Sequence, residues 1–197
     1  MAGKPDNDAY IAAFFDRSLA GLQAAAKDPA LLRLVAEIAQ AIEGSMRAGG
    51  KLLIAGNGGS AADAQHLAAE FLSRYLIDRR PLPALALTTD PAVLTAIGND
   101  YGFEHVFERQ VRGLGKPGDV FLAMSTSGRS PNVLRALRTA HEVGLLTIGF
   151  SGAAETPMRA LCQHFLSVAS QETAIVQQIH IVAGHVICAL VERALSQ

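Results

Sequence analysis

The hydrophobic rhythm of the chain changes at Lys51. Before it, residues 8–27 and 30–48 carry apolar side chains at three- and four-residue intervals, which predicts two amphipathic helices. Asp28-Pro29 lies between them. Asp is a good N-cap and Pro suits the first helical turn, so the second helix starts there and ends before Gly49-Gly50. With no site chemistry of their own, the two helices read as a packing or oligomer arm over 1–50. From Lys51 onward, short apolar runs alternate with helical stretches. Runs at 51–55, 84–88, 119–124 and 145–150, with a weaker one at 164–168, predict strands. The stretches 60–74, 91–98, 104–113, 131–142, 156–161 and 174–195 predict helices. The strand runs lack in–out alternation, so both faces of their sheet should be covered. Strands alternating with helices predict right-handed βαβ units around a parallel sheet, an α/β three-layer αβα sandwich. The final stretch is apolar on nearly every side, through Val176, Ile179, Val182, Val186, Ile187, Leu190 and Val191. Such a helix needs burial all round, which at the end of a small domain predicts another subunit.

Composition narrows the function. Half of the 197 residues are hydrophobic and the net charge is −1, from 17 basic and 18 acidic residues. That fits a packed globular enzyme and gives nucleic-acid binding no electrostatic support. Small anions remain bindable through backbone N–H groups. Cys162 and Cys188 have no Cys-x-x-Cys spacing, so reduced, packed thiols are expected. The start MAGKPDNDAY has no apolar signal core. The apolar region 179–190 is interrupted by His180 and His185, too short and too polar for a membrane span. A soluble, cytoplasmic protein without membrane partners is expected.

Three places carry candidate chemistry. The first is Gly56-Asn57-Gly58-Gly59-Ser60, between a predicted strand and helix. Glycines let a backbone approach an anion closely, yet a simple tight turn has the same composition. The spacing is neither the dinucleotide fingerprint nor the Walker loop. The second is Ser125-Thr126-Ser127-Gly128-Arg129-Ser130-Pro131-Asn132, which follows a strand and precedes a helix, with Pro131 suited to its first turn. Hydroxyls at a helix N-terminus suit a phosphate; Ser130 alone could be an N-cap. The third is His66 with Glu70, four residues apart on one helix face, plus Gln177 and His185 near the far end of the chain. Such a pair can share a metal or set a base beside an acid, and it can equally be a surface ion pair.

Taken together, GNGGSAADAQHLAAEF, LTAIGNDYGFEHVF, STSGRSPNV and QxxHIVAGH resemble the sugar isomerase (SIS) family, and within it the phosphoheptose isomerases. The resemblance covers most of the chain from Lys51. It implies one SIS domain over 1–197, with a flavodoxin-like or Rossmann-like sheet. It implies interconversion of sedoheptulose 7-phosphate and D-glycero-D-manno-heptose 7-phosphate through an enediol, the first step of ADP-heptose biosynthesis for the lipopolysaccharide core. Glu70 would be the base and His185 its acid/base partner. Asn57, Gly58, Gly59, Glu70, Asn99, Asp100 and Gln177 would contact the sugar, and Ser125, Thr126, Ser127 and Ser130 its phosphate. His66, Glu70, Gln177 and His185 would bind zinc (Zn2+), in a homotetramer.

The resemblance is imperfect before the last helix. The family's usual Asp-Thr-x-x-Ile-Gln-Glu run reads Glu172-Thr173-Ala174-Ile175-Val176-Gln177-Gln178 here. Gln177 and His185 are also eight residues apart, ~12 Å along one regular helix. Both could reach along the helix, Gln177 could lie at an irregular helix start, or two subunits could contribute; a site completed at a subunit interface is expected. Some SIS relatives are regulators or adaptors without catalysis, among them replication-initiator-binding proteins, and others isomerise different sugar phosphates. A pure binding module has no need of His66, Glu70 and His185 together.

Overall fold

In a computed structural model of the chain, which describes residues 6–152 and 154–196, the change of rhythm at Lys51 is a change of layer. Residues 1–5 of the polar start lie outside the described residues. Helix α1 spans Asn7–Ala26 and α2 spans Pro29–Arg47. Asp28 caps α2 as its sequence predicts, Oδ1 accepting from the amides of Ala30 at 2.9 Å and Leu31 at 3.2 Å. The two helices differ in role. Helix α2 buries Val35, Ile38, Ala39, Ile42 and Met46 in the main core. Helix α1 leaves Tyr10, Ile11, Phe15 and Leu19 exposed, so only α1 stands out as an arm.

Five strands follow: β1 Leu52–Gly56, β2 Ala84–Ala86, β3 Val120–Ser125, β4 Leu146–Ser151 and β5 His164–Ser167. All pair in parallel, in the order β2-β1-β3-β4-β5. Between and after them run α3 (Gly59–Leu72), α4 (Pro91–Tyr101), α5 (Val106–Leu114), α6 (Pro131–Val143) and α7 (Thr173–Leu195). Every residue of β1 and β3 is buried, because helices cover both sheet faces. Leu52, Ile54, Leu122 and Met124 pack towards α2, α3 and α7. Leu53, Ala55, Phe121 and Ala123 pack towards α5 and α6. Burying each Leu, Ile or Phe contributes about 1.5–3 kcal/mol. The strand order reverses between β1 and β3, and in such sheets the crevice at the carboxyl ends of the strands there is where ligands bind.

The structure corrects several expected boundaries. The stretch 156–161 is not an α-helix; only Arg159–Leu161 form a 3-10 turn. Its bonds run three residues back, from Arg159 to Thr156 and from Leu161 to Met158. Six residues are too few to repay helix nucleation, and the chain must return at once to β5. The expected helix 104–113 is a 3-10 turn over Phe103–His105 followed by α5. The strand expected at 84–88 is only three residues long. Helix α7 also differs from expectation. By length and composition it could cross a membrane, with 23 residues and a mean hydropathy of 1.8, although half of that window is buried inside the protein. It serves as a core helix, packed on α2 and α3. Its outer face keeps Val182 and Val186 exposed.

Candidate active site

Helices α3 and α7 lie side by side and run in the same direction. Gly59 meets Gln177 at their N-terminal ends, His66 meets His185 further along, and the chain just past α3 meets Glu192 near the end of α7. Glycine permits the closeness. A Cβ on Gly184 would stand 2.6 Å from Leu67 Cδ2, and one on Gly59 would stand 2.4 Å from Gln177 Nε2. A side chain at Gly184 would have to displace Leu67, and one at Gly59 the tip of Gln177.

This contact assembles the charged end of the site. Nε2 of His66 lies 2.8 Å from Nε2 of His185, and 3.5 Å from Glu70 Oε1. One ligand atom from each of the three residues lies within 4.8 Å of the others, so the cluster could hold a metal ion. His66 stays half exposed and Glu70 is largely covered. His185 therefore reaches His66 and Glu70 within one chain. Gln177 sits in regular helix, since α7 begins at Thr173, which removes the irregular-start alternative. Its amide lies over Gly59, beside the glycine turn.

Two groups near the cluster escaped the sequence reading. Asp63 lies on α3 three residues before His66, with one carboxylate oxygen buried and without a hydrogen bond. Burial raises its pKa, and the charges of His66 and His185 pull it back. The stripe Asp63, His66, Glu70 at helical spacing was the available signal. Tyr75 stacks on the ring of His185, with centroids 5.6 Å apart and planes at 18°. Nothing in its local sequence marks it, because the contact spans 110 residues.

The second end of the site is built from backbone turns and hydroxyls, with Arg129 in the loop and Arg135 and Glu104 lining one of its cavities. The glycine turn has Gly58 at φ +56°, and it spends the amides of Ser60 and Ala61 on its own carbonyls at 3.0 Å each. It is a tight turn that shapes a wall, with few donors left for an anion. The hydroxyl loop after β3 differs. Ser130 stands at the N-cap of α6 but makes no side-chain cap bond. Its Oγ lies 3.0 Å from Ser125 Oγ instead, and Ser127 Oγ lies 3.5 Å from the same atom. Three hydroxyls thus converge at the carboxyl end of β3, beside a helix N-terminus. Thr126 and Ser127 line a cavity of about 570 Å³ with Ser170, Gln171 and Thr173. Asn57 and Ser130 line another, of about 550 Å³.

Asn57 and Asn132 join the two loops across the crevice. Each amide donates to the other's oxygen at 2.9 Å. Asn132 is 2 % exposed and its Oδ1 also accepts from the Val133 amide, so it is a fixed anchor. Asn99 and Asp100 are exposed at the end of α4, hydrogen-bonded to each other at 2.8 Å. They line neither cavity, whereas Phe103 and Glu104 just beyond them line the one with Asn57. The divergent run opens α7, with Glu172 at the N-cap position, and it has a packing role. Ile175 seats α1, where a Cβ on Gly21 would stand 2.9 Å from it, and Glu172 pairs with Arg17 at 2.7 Å.

A helix-buried pair closes the far end of α7. The carboxylate of Glu192 accepts from the amides of Tyr75, Leu76 and Ile77 at 2.8, 2.6 and 2.9 Å, and its Oε1 lies 3.1 Å from Arg79 Nε. Burial alone would push this carboxyl up; the three amides and the guanidinium overcome that and hold it below the ordinary range. His180 is buried without charge. Burial takes it down to about 4, opposed in part by the Ser151 backbone. Both cysteines are free, and burial pushes each thiol up to about 12, which makes them inert.

Known proteins match this architecture and these motifs. The SIS domain model matches residues 14–152. A phosphoheptose isomerase from a Bradyrhizobium species is 56% identical over 190 residues, covering 96% of each chain. One from Aneurinibacillus thermoaerophilus is 49% identical over 186 residues, covering 94% of each. The solved structure of a phosphoheptose isomerase from Neisseria gonorrhoeae superposes with a TM-score of 0.89 at 41% identity, over 94% of this chain and 98% of that one. With the fold, the crevice and the overall match in agreement, the chain belongs to the SIS-domain family, in its phosphoheptose isomerase branch.

Proposed function

We propose that the chain interconverts sedoheptulose 7-phosphate and D-glycero-D-manno-heptose 7-phosphate, supplying heptose for lipopolysaccharide. The observation that carries this reading is the Glu70 carboxylate beside two imidazoles, on the helix that follows β1, with a loop of converging hydroxyls after the neighbouring strand β3. Moving a carbonyl between C1 and C2 passes through an enediol. It needs a base at carbon and a proton or cation at oxygen. Glu70 takes the proton from one carbon and returns it to the other. His185 moves the proton at the carbonyl oxygen and helps open the ring. Ser125, Thr126, Ser127 and Ser130 hold the phosphate, Asn57, Gly58, Gly59 and Gln177 line the sugar, and Asn99 and Asp100 contact its hydroxyls. Phosphate binding far from the reacting carbons supplies the positioning energy.

The donor set fits zinc. Two imidazole nitrogens 2.8 Å apart need a shared proton or a cation between them, and Glu70 adds an oxygen on the same side. Three such ligands leave room on the ion for a fourth. His66, Glu70 and His185 would hold the ion, with Gln177 the fourth ligand. Zinc, when bound, would polarise the carbonyl and hold the developing negative charge.

The reading extends to assembly. Residues 1–197 form one SIS domain that works as a cytoplasmic homotetramer. Support comes from exposed apolar groups on α1 and from Val182 and Val186, which flank the half-exposed cluster on α7. A partner seated there would cover the site and exclude water.

The test is an isomerase assay with sedoheptulose 7-phosphate on wild type and Glu70→Gln. Turnover is expected to fall by about 10³-fold in the variant, as for loss of a general base. Near wild-type turnover in a folded Glu70→Gln would remove Glu70 from the role of base.

A further inference from the structure

His185 lacks the support that a working imidazole usually has. A histidine ring turns about its last bond with a broad, two-fold preference. In metal and proton-transfer sites, the second ring nitrogen is normally fixed by a carboxylate or carbonyl. Among the described residues, the only side-chain hydrogen bond of His185 is Nε2 to Nε2 of His66. The ring is held by other rings instead. The imidazole of His66 meets it edge-on at 5.0 Å and 80°, and the phenol of Tyr75 covers its face at 5.6 Å and 18°.

Tyr75 is itself fixed from below. Its amide donates to Glu192, which is 1 % exposed and stands two helical turns beyond His185 on α7. Arg79 pairs with Glu192 and donates to the carbonyls of Glu70 at 2.9 Å and Phe71 at 2.8 Å. One buried ion pair therefore ties the end of α3, the Tyr75 segment and α7 together. Each helix of that frame carries one half of the cluster.

We propose that Tyr75 is a positioning residue. Its ring face sets the plane of the His185 imidazole so that Nε2 points at His66 and Glu70, and the Arg79–Glu192 pair holds Tyr75 in that place. The idea rests on the reading of His185 as acid/base and metal-binding group. The ring face is what acts, so Phe should replace Tyr and an aliphatic side chain should not.

The experiment compares wild type, Tyr75→Phe and Tyr75→Leu. It reads kcat and KM with sedoheptulose 7-phosphate, and zinc affinity by competition with a chromophoric chelator on metal-depleted protein. Tyr75→Leu is expected to lose about tenfold or more in kcat and about tenfold in zinc affinity, with KM within about twofold, the range found for groups that orient a metal ligand. Tyr75→Phe is expected to restore both. If Tyr75→Leu matches wild type in kcat and zinc affinity, or Tyr75→Phe fails as badly as Leu, the proposal is overturned. If Tyr75→Leu does not fold, Tyr75→Met, of similar length and without a ring, carries the same expectations. If wild type turns over this sugar but binds no zinc, the metal reading falls and Tyr75 is judged on kcat alone. If wild type does neither, the reading of the site fails and this proposal with it.

Discussion

The two ends of the site are built differently. The charged end stands on two continuous helices, α3 and α7, whose glycines let His66, Glu70 and His185 converge. The hydroxyl end stands on the loop after β3, where Ser125, Ser127 and Ser130 share hydroxyl contacts at the start of α6. Proton transfer and metal binding need fixed directions, and helices packed through glycine supply them. On the proposed reading a phosphate needs many donors around a sphere, and a loop at a helix N-terminus would supply them. The reciprocal Asn57–Asn132 amide pair keeps the two ends in register across the crevice. On the proposed reading the chemistry sits on the stiff side and the holding on the loop side.

That division can be broken experimentally. The largest effect should follow metal removal. Chelation is expected to lower kcat by about 100-fold, with added zinc restoring it, because the cluster loses the charge that stabilises an enediolate. Retained activity after verified depletion would move the charged end from metal to proton chemistry alone.

A second effect tests the helix between the two ends. His180 on α7 packs against Phe150 of β4 at 5.4 Å and is held uncharged, down to about 4. The unfolded chain binds a proton on this side chain near pH 6.5, while the folded chain resists it. Stability should therefore fall as pH drops below about 6.5 and level off near the folded pKa of about 4. Between pH 7.5 and pH 5 the loss should be about 2 kcal/mol, and His180→Phe should abolish that part of it. Urea unfolding at both pH values checks this. An unchanged pH dependence in His180→Phe would mean that another group carries it.

The smallest effect belongs to the loop. Ser130→Ala should raise KM by about tenfold, the worth of one hydrogen bond to a charged group, and leave kcat nearly unchanged. A loss of kcat equal to that of Glu70→Gln would erase the distinction between the two ends.

Much of the fold was legible because local pattern and tertiary role agree here. Asp28-Pro29 starts α2 through a cap that needs only its own neighbours. Apolar runs without alternation became strands buried on both faces. The exception is instructive: 156–161 has helical composition, but the short return to β5 leaves room for a 3-10 turn only. In the site, the stripe His66–Glu70 and the hydroxyls of Ser125–Ser130 could be picked out from spacing. Tyr75, the Arg79–Glu192 pair and the partnership of Asn132 with Asn57 could not, since each acts through a partner distant in sequence.

The sequence by itself determined the elements, the parallel α/β class and the residue types of the site, because capping, periodicity and helical spacing are local properties of the chain. Only the tertiary structure decided that α3 and α7 run side by side closely enough for His185 to meet His66 within one chain. That closeness is eased by the missing side chain at Gly184, where a Cβ would meet Leu67, and a glycine shows what it is for only when its neighbour is in place.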